Sequence, residues 1–202
     1  MKIFIVYCHP SQDSFTKNMC DAFIKGITDS GNEYIMSDLY KMDFNPVMTE
    51  QEYLRDANYR NSPEVASDVL EEQEKINSAD AIAFIYPVFW TEAPARLVGW
   101  FDRVWSYGFA YGDKTMKLLD KAIILCSAGN PIEKLEQFGL LDSMKRLCWG
   151  TGFIVVLNNL SLLFLTILQG KMSFVQKIGI LIFTKLTRRG RHFLISAINP
   201  NL

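Results

Sequence analysis

A chain of 202 residues, 49% of them hydrophobic, can bury one substantial core and is too short for two ordinary domains. A formal net charge of −1 gives no basic excess to draw nucleic acid. The four cysteines, Cys8, Cys20, Cys126 and Cys148, have no CxxC spacing. That fits reduced thiols in a cytoplasmic protein and supplies no metal-ligand pattern.

The elements follow in order. Lys2–Tyr7 reads as a strand, too short for the apolar core of a signal peptide. Ser14–Thr28 is predicted helical, with Phe15, Met19, Ala22, Phe23 and Ile27 on one face. Gly31-Asn32 marks a turn, and Glu33–Asp38 a second strand. Residues 40–62 show no clean period and read as a long loop with a short helix. A helix is expected over Ser67–Asn77. Asp80–Tyr86 is a continuous apolar run, as a buried parallel strand requires. Pro94–Ser106 is helical, Lys121–Ser127 is another buried strand, and Ile132–Met144 a further helix. Strands alternating with helices predict an α/β fold, an open parallel sheet with helices on both faces.

Ligands of such sheets bind beyond the carboxyl ends of the strands, where three loops fall. The first, Cys8 to Thr16, opens a helix whose free N–H groups and dipole suit a phosphate. His9, Ser11, Ser14 and Thr16 add donors, although Asp13 or Ser14 could equally be an ordinary helix cap. No GxGxxG is present. The second loop, Tyr86-Pro87-Val88-Phe89-Trp90-Thr91, can flank a flat conjugated ring, or its aromatics can simply pack on the next helix. The third, Ser127-Ala128-Gly129-Asn130, is small enough for close backbone approach.

Together these segments resemble the NAD(P)H:quinone oxidoreductases, the DT-diaphorase-like family of the flavodoxin-like fold. The resemblance rests on His9-Pro10 with Ser14-Phe15, on Gln73-Glu74-Lys75-Ile76 running into Ala79-Asp80, and on Tyr86-Pro87 with Trp90. It continues through Pro94-Ala95 to Gly99-Trp100-Phe101-Asp102-Arg103-Val104 and Gly108-Phe109-Ala110-Tyr111, covering residues 1–142. It implies a flavin, FMN or FAD, with NAD(P)H as co-substrate and a quinone-like acceptor. His9, Ser14, Phe15 and Thr16 would hold the flavin phosphates, and Gln73 would lie near its far end. Pro87, Val88, Phe89, Trp90 and Thr91 would line the isoalloxazine ring, and Ser127, Ala128, Gly129 and Asn130 its pyrimidine edge. Phe109, Ala110 and Tyr111 would line the substrate pocket, in the family often that of the partner subunit of a homodimer. Trp100, Phe101 and Val104 would form a dimer face, although their spacing equally suits a core. Some members carry a Tyr and a His just past the third loop as a proton relay. Neither occurs between Pro131 and Asp142, which leaves water or Tyr111 as the catalytic donor.

The resemblance ends near Met144, dividing the chain into a flavin-binding domain, 1–144, and an anomalous tail, 145–202. All 22 acidic residues lie at or before Asp142, while eight of the 21 basic residues fall in the final 60. Three readings stay open. Gly152–Leu168 could contact a membrane, but about 17 residues is short for a span and Asn158-Asn159 interrupt it. The tail could be a genuine soluble end with Phe153–Leu157 as the last strand. Or it could be a reading-frame slip near codons 144–147. Back-translated one base earlier, Cys148-Trp149-Gly150 forces Leu-Gly, the next triplets allow Asp-Arg-Ile, and acidic residues return. Two alternatives to an enzyme also remain: a non-catalytic flavodoxin-fold subunit, for example a regulator of a membrane transporter, and an electron-transfer flavodoxin.

Overall fold

The computed structural model describes residues 1–148 and 162–168. Five strands form one parallel sheet: β1 Lys2–Tyr7, β2 Glu33–Asp38, β3 Ala81–Pro87, β4 Lys121–Ala128 and β5 Leu162–Leu168. Their order is β2-β1-β3-β4-β5. The chain reverses its direction of travel across the sheet between β1 and β3, so the carboxyl ends of those strands open onto a crevice.

The side chains of β1 alternate between two cores, as a strand's two-residue period demands. Phe4 and Val6 join a cluster containing Trp100, Leu97 and Ile76, while Ile3, Ile5 and Tyr7 join Met19, Cys20 and Ile27. Right-handed crossovers explain the partition. Helix α1, Phe15–Asp29, returns the chain leftward to β2 and covers one face. Helices α3 (Ser67–Ser78), α4 (Ala95–Val104), α5 (Ile132–Gln137) and α6 (Leu140–Cys148) carry it rightward, and the buried residues of all four join the opposite core.

The short helix expected in the 40–62 loop is α2, Glu50–Ala57, closed by a reciprocal cap between Thr49 and Glu52. Arg103 holds it to the body of the protein. Only 5% exposed, its guanidinium pairs with Glu52 and both Asp68 oxygens and donates to the Asn45 carbonyl. Burial pulls the Glu52 carboxyl up, but hydrogen bonds from Arg103 and Thr49 outweigh it and hold it below its usual range. Gly99 lets this loop lie against α4, since a Cβ there would stand 2.1 Å from the Pro46 carbonyl oxygen.

Two sequence expectations change. The helix expected over Ile132–Met144 is two helices, broken at Gly139, whose φ of +67° no helix accommodates. Trp100 and Val104 are fully buried in the core, so they offer no dimer face; Phe101 is partly buried against them. The last strand described is Leu162–Leu168, and the strand expected over Phe153–Leu157 lies outside the described residues. The final seven residues of the apolar run considered for a membrane therefore belong to the sheet. Among the described residues no helix is long and apolar enough to cross a membrane. Cys8, Cys20 and Cys126 are buried and in no disulfide, and burial pushes the first two thiols up to about 12.

Candidate functional site

Parallel pairing puts the three loops side by side. Tyr7 of β1 is opposite Ile85 of β3, and Pro87 of β3 is opposite Ser127 of β4. Two hydrogen bonds tie the loops that follow. The Val88 amide donates to the Ser127 carbonyl at 2.7 Å, and the Thr16 and Ser127 hydroxyls lie 2.8 Å apart.

The first loop is held by its own polar groups. His9 Nδ1 lies 2.9 Å from both the amide and the carbonyl of Ser11, so it accepts or donates according to tautomer. Ser11 Oγ accepts from the Asp13 amide, and Gln12 donates to Asp38 at the end of β2. Ser14 caps α1, its hydroxyl accepting from the Lys17 amide, while the Asn18 amide donates to the Ser14 carbonyl. The Phe15 and Thr16 amides remain as helix-end donors that have no partner within the helix.

The second loop turns abruptly. Phe89 and Glu92 exchange two backbone hydrogen bonds of 2.9 Å across Trp90 and Thr91. Both central residues have positive φ, +52° and +67°. Such turns favour Asn and Gly, and a β-branched threonine there is strained. The turn lifts Trp90 to 98% exposure. In the third loop Gly129 faces open space, with no atom within 4 Å of where its Cβ would stand.

The predicted residues divide accordingly. His9, Ser14, Phe15, Pro87, Val88, Phe89, Trp90, Thr91, Ala128, Gly129 and Asn130 sit on or beside the adjoining loops. Thr16 is buried, and its hydroxyl is engaged with that of Ser127, so the two side chains lock the first loop to the third. Gln73 is buried and donates to the Val104 carbonyl and the Ser106 hydroxyl, bracing the turn after α4. Phe109 and Ala110 are core residues, and of that trio only Tyr111, 40% exposed, keeps a free face. Sequence reading missed the Gln12–Asp38 tie and the hydrogen bond from Arg55 to the Tyr107 carbonyl. Neither has a motif, because each joins segments that meet only through the fold. Among the described residues no His, Cys, Asp and Glu gather as a metal site.

A flavin fits this surface. Amides at the start of α1 suit its phosphate, an exposed indole can meet a flat ring, and the space at Gly129 admits the ring's polar edge.

A family model described as flavodoxin-like fold matches residues 1–153. An uncharacterized NAD(P)H oxidoreductase of Escherichia coli is 32% identical over 156 residues, 73% of this chain and 76% of its own length. A rat ribosyldihydronicotinamide dehydrogenase [quinone] is 33% identical over 169 residues, 73% of this chain and 72% of its own. The solved NAD(P)H:quinone oxidoreductase of Methanothermobacter marburgensis superposes with a TM-score of 0.77 and 40% identity, covering 82% of this chain and 83% of that one. On the strength of these matches, the chain belongs to the NAD(P)H:quinone oxidoreductase family of the flavodoxin-like fold.

Proposed function

We propose that the protein is a flavin-dependent reductase that passes hydride from NAD(P)H to a quinone or similar acceptor, in the cytoplasm and as a homodimer. The observation that carries this reading is the convergence of three loops, locked by Ser127 to Thr16 and Val88, beside an exposed tryptophan on a strained turn. A flavin held there would supply the hydride-transfer chemistry between nicotinamide and acceptor.

The chain orients. The amides at the start of α1, with His9 beside them, hold the phosphate end. Trp90 and Phe89, 98% and 44% exposed, line the ring. Backbone donors of the loop through Gly129 would meet the ring's polar pyrimidine edge and stabilise negative charge there. Donor and acceptor occupy the same open side in turn. Tyr111, from this chain or its partner, lines the acceptor pocket, and water reaching the open site supplies the proton.

The test is purification, colour and turnover. A flavin-bearing protein that oxidises NADH or NADPH with a quinone supports the reading, and mass measurement of the released flavin decides FMN or FAD. A yellow protein without turnover favours the non-catalytic subunit.

For the tail, residues 145–202, the loss of every acidic residue after Asp142 and the return of acids one base earlier support a reading-frame slip. Resequencing codons 140–150 tests it. A one-base difference supports the slip, and unchanged DNA with relatives sharing this tail removes it.

A further inference from the structure

The carboxyl end of β2 carries a cation that the three loops do not use. Tyr7 of β1 pairs with Asp38 of β2, and the Leu39 amide donates to the Tyr7 carbonyl at 2.9 Å. Leu39 therefore lies beside Cys8, one residue before His9 and the first loop. Arg96, in the first turn of α4, reaches this point. Its Nη1 donates to the Leu39 carbonyl at 3.0 Å and to the Asp43 carboxylate at 2.9 Å. Its guanidinium lies over the Tyr40 ring, 4.7 Å from the centroid. Its charge is felt at the Cys8 thiol, where it opposes the effect of burial.

The same turn is tied to the first loop. Asp38, 7% exposed, accepts from Gln12 at 3.2 Å and from the Tyr40 and Lys41 amides. The first loop, the 39–43 turn and Arg96 thus meet at one corner of the sheet's carboxyl edge. Only Nη1 of Arg96 is committed there. Nε and Nη2, the edge that grips a phosphate as a fork, have no partner among the described residues. The Arg96 side chain is 22% exposed and that of Asp43 is 89% exposed. An ion pair so open to water is weak and yields to a phosphate, while Tyr40 and the Leu39 carbonyl keep the guanidinium in place.

The sheet order gives the direction. In the flavin reading the ring lies at the loops after β3 and β4, and its phosphate at the start of α1, after β1. The next strand outward is β2. A flavin with one phosphate ends at the first loop. One with a second phosphate and an adenosine continues past it, to the corner where Arg96 stands.

We propose that Arg96 is a specificity-determining residue for the cofactor: its open edge binds the second phosphate of FAD, and FMN, which has none, gains nothing from it. The inference rests on the flavin reading above.

The experiment titrates full-length protein, stripped of ligand, with FAD and with FMN by calorimetry, in wild type, Arg96→Gln and Asp43→Asn. Wild type should bind FAD more tightly. Arg96→Gln should raise the FAD Kd about tenfold, the loss of a hydrogen-bonded charge, and leave that of FMN within about twofold. Asp43→Asn removes the competing carboxylate and suits the same backbone, so it should tighten FAD about threefold and leave FMN unmoved. Wild type that takes up neither flavin overturns the functional reading and this site together. Wild type that binds both equally overturns the site alone, as does an Arg96→Gln that weakens both flavins alike or neither. A rise in the KM for NADPH but not NADH, with both flavin Kd values unmoved, assigns Arg96 to the coenzyme and overturns the proposal. Should Arg96→Gln not fold, an unchanged ratio of FAD to FMN affinity in Asp43→Asn overturns it equally.

Discussion

Trp90 and Arg103 bracket the fourth helix, one just before it and one in its last turn, and their surroundings are opposites. Arg103 is 5% exposed and engages two carboxylates and a carbonyl. Trp90 is 98% exposed on a turn whose backbone is strained. One end of α4 is closed, with its charges matched inside the molecule. The other holds aromatic surface in water where a ligand can cover it. Stability is concentrated around Arg103 and, in the function proposed, recognition around Trp90, so changes at the two ends should have separable effects.

The largest loss of stability is expected in the interior that α4 covers. Trp100 is fully buried, meets Phe4, Phe84, Phe101 and Trp105, and donates to the buried Glu72 carboxylate at 2.8 Å. Trp100→Ala should cost about 4 kcal/mol in urea unfolding, from the cavity and the lost donor together. A loss below about 1 kcal/mol would show the packing there to be loose.

Arg103→Leu comes next, at about 3 kcal/mol, because it leaves Glu52 and Asp68 without their cation. Acid sensitivity should change with it. The folded Glu52 carboxyl titrates below its unfolded value, so its contribution is present above the unfolded pKa of about 4.3 and is lost as pH falls through the folded value. Wild-type stability should therefore fall on acidification more steeply than that of Arg103→Leu, measured by urea unfolding across that window.

Thr91→Gly should stabilise the protein by about 1 kcal/mol, since glycine accepts the +67° φ that strains threonine. The same change should loosen the presentation of Trp90 and weaken flavin retention. A gain in both stability and retention would show that the strain has no role at the site.

Trp90→Ala should shift stability by less than about 0.5 kcal/mol, because the indole touches little in the folded chain. It should nonetheless weaken flavin binding and lower turnover. His9→Ala should weaken retention yet keep most of its rate when saturated with flavin, since a phosphate contact adds little that is specific to the transition state. Loss of the chemical step at full occupancy would contradict that division.

The strands were legible because a sheet buried on both faces writes continuous apolar runs, as in Ala81–Pro87 and Lys121–Ala128. The three loops followed from topology, since their place is fixed once the strands are parallel. Side-chain commitments were not legible. Thr16, Gln73, Phe109 and Ala110 all lie in stretches shared with the family, yet each points inward. A resemblance reports which segments surround a ligand, and only the fold reports which atoms are already engaged. The same applies to Arg55 and Arg103, whose partners lie up to 58 residues away.

The account stands most directly on one titration. Purified, folded full-length protein stripped of ligand is titrated with FMN and with FAD, following flavin absorbance and the quenching of Trp90 emission, with Trp90→Ala as the reference. The account predicts saturation at about one flavin per chain by one of the two, with the Trp90 signal quenched over the same range. Folded protein that takes up neither flavin would contradict it.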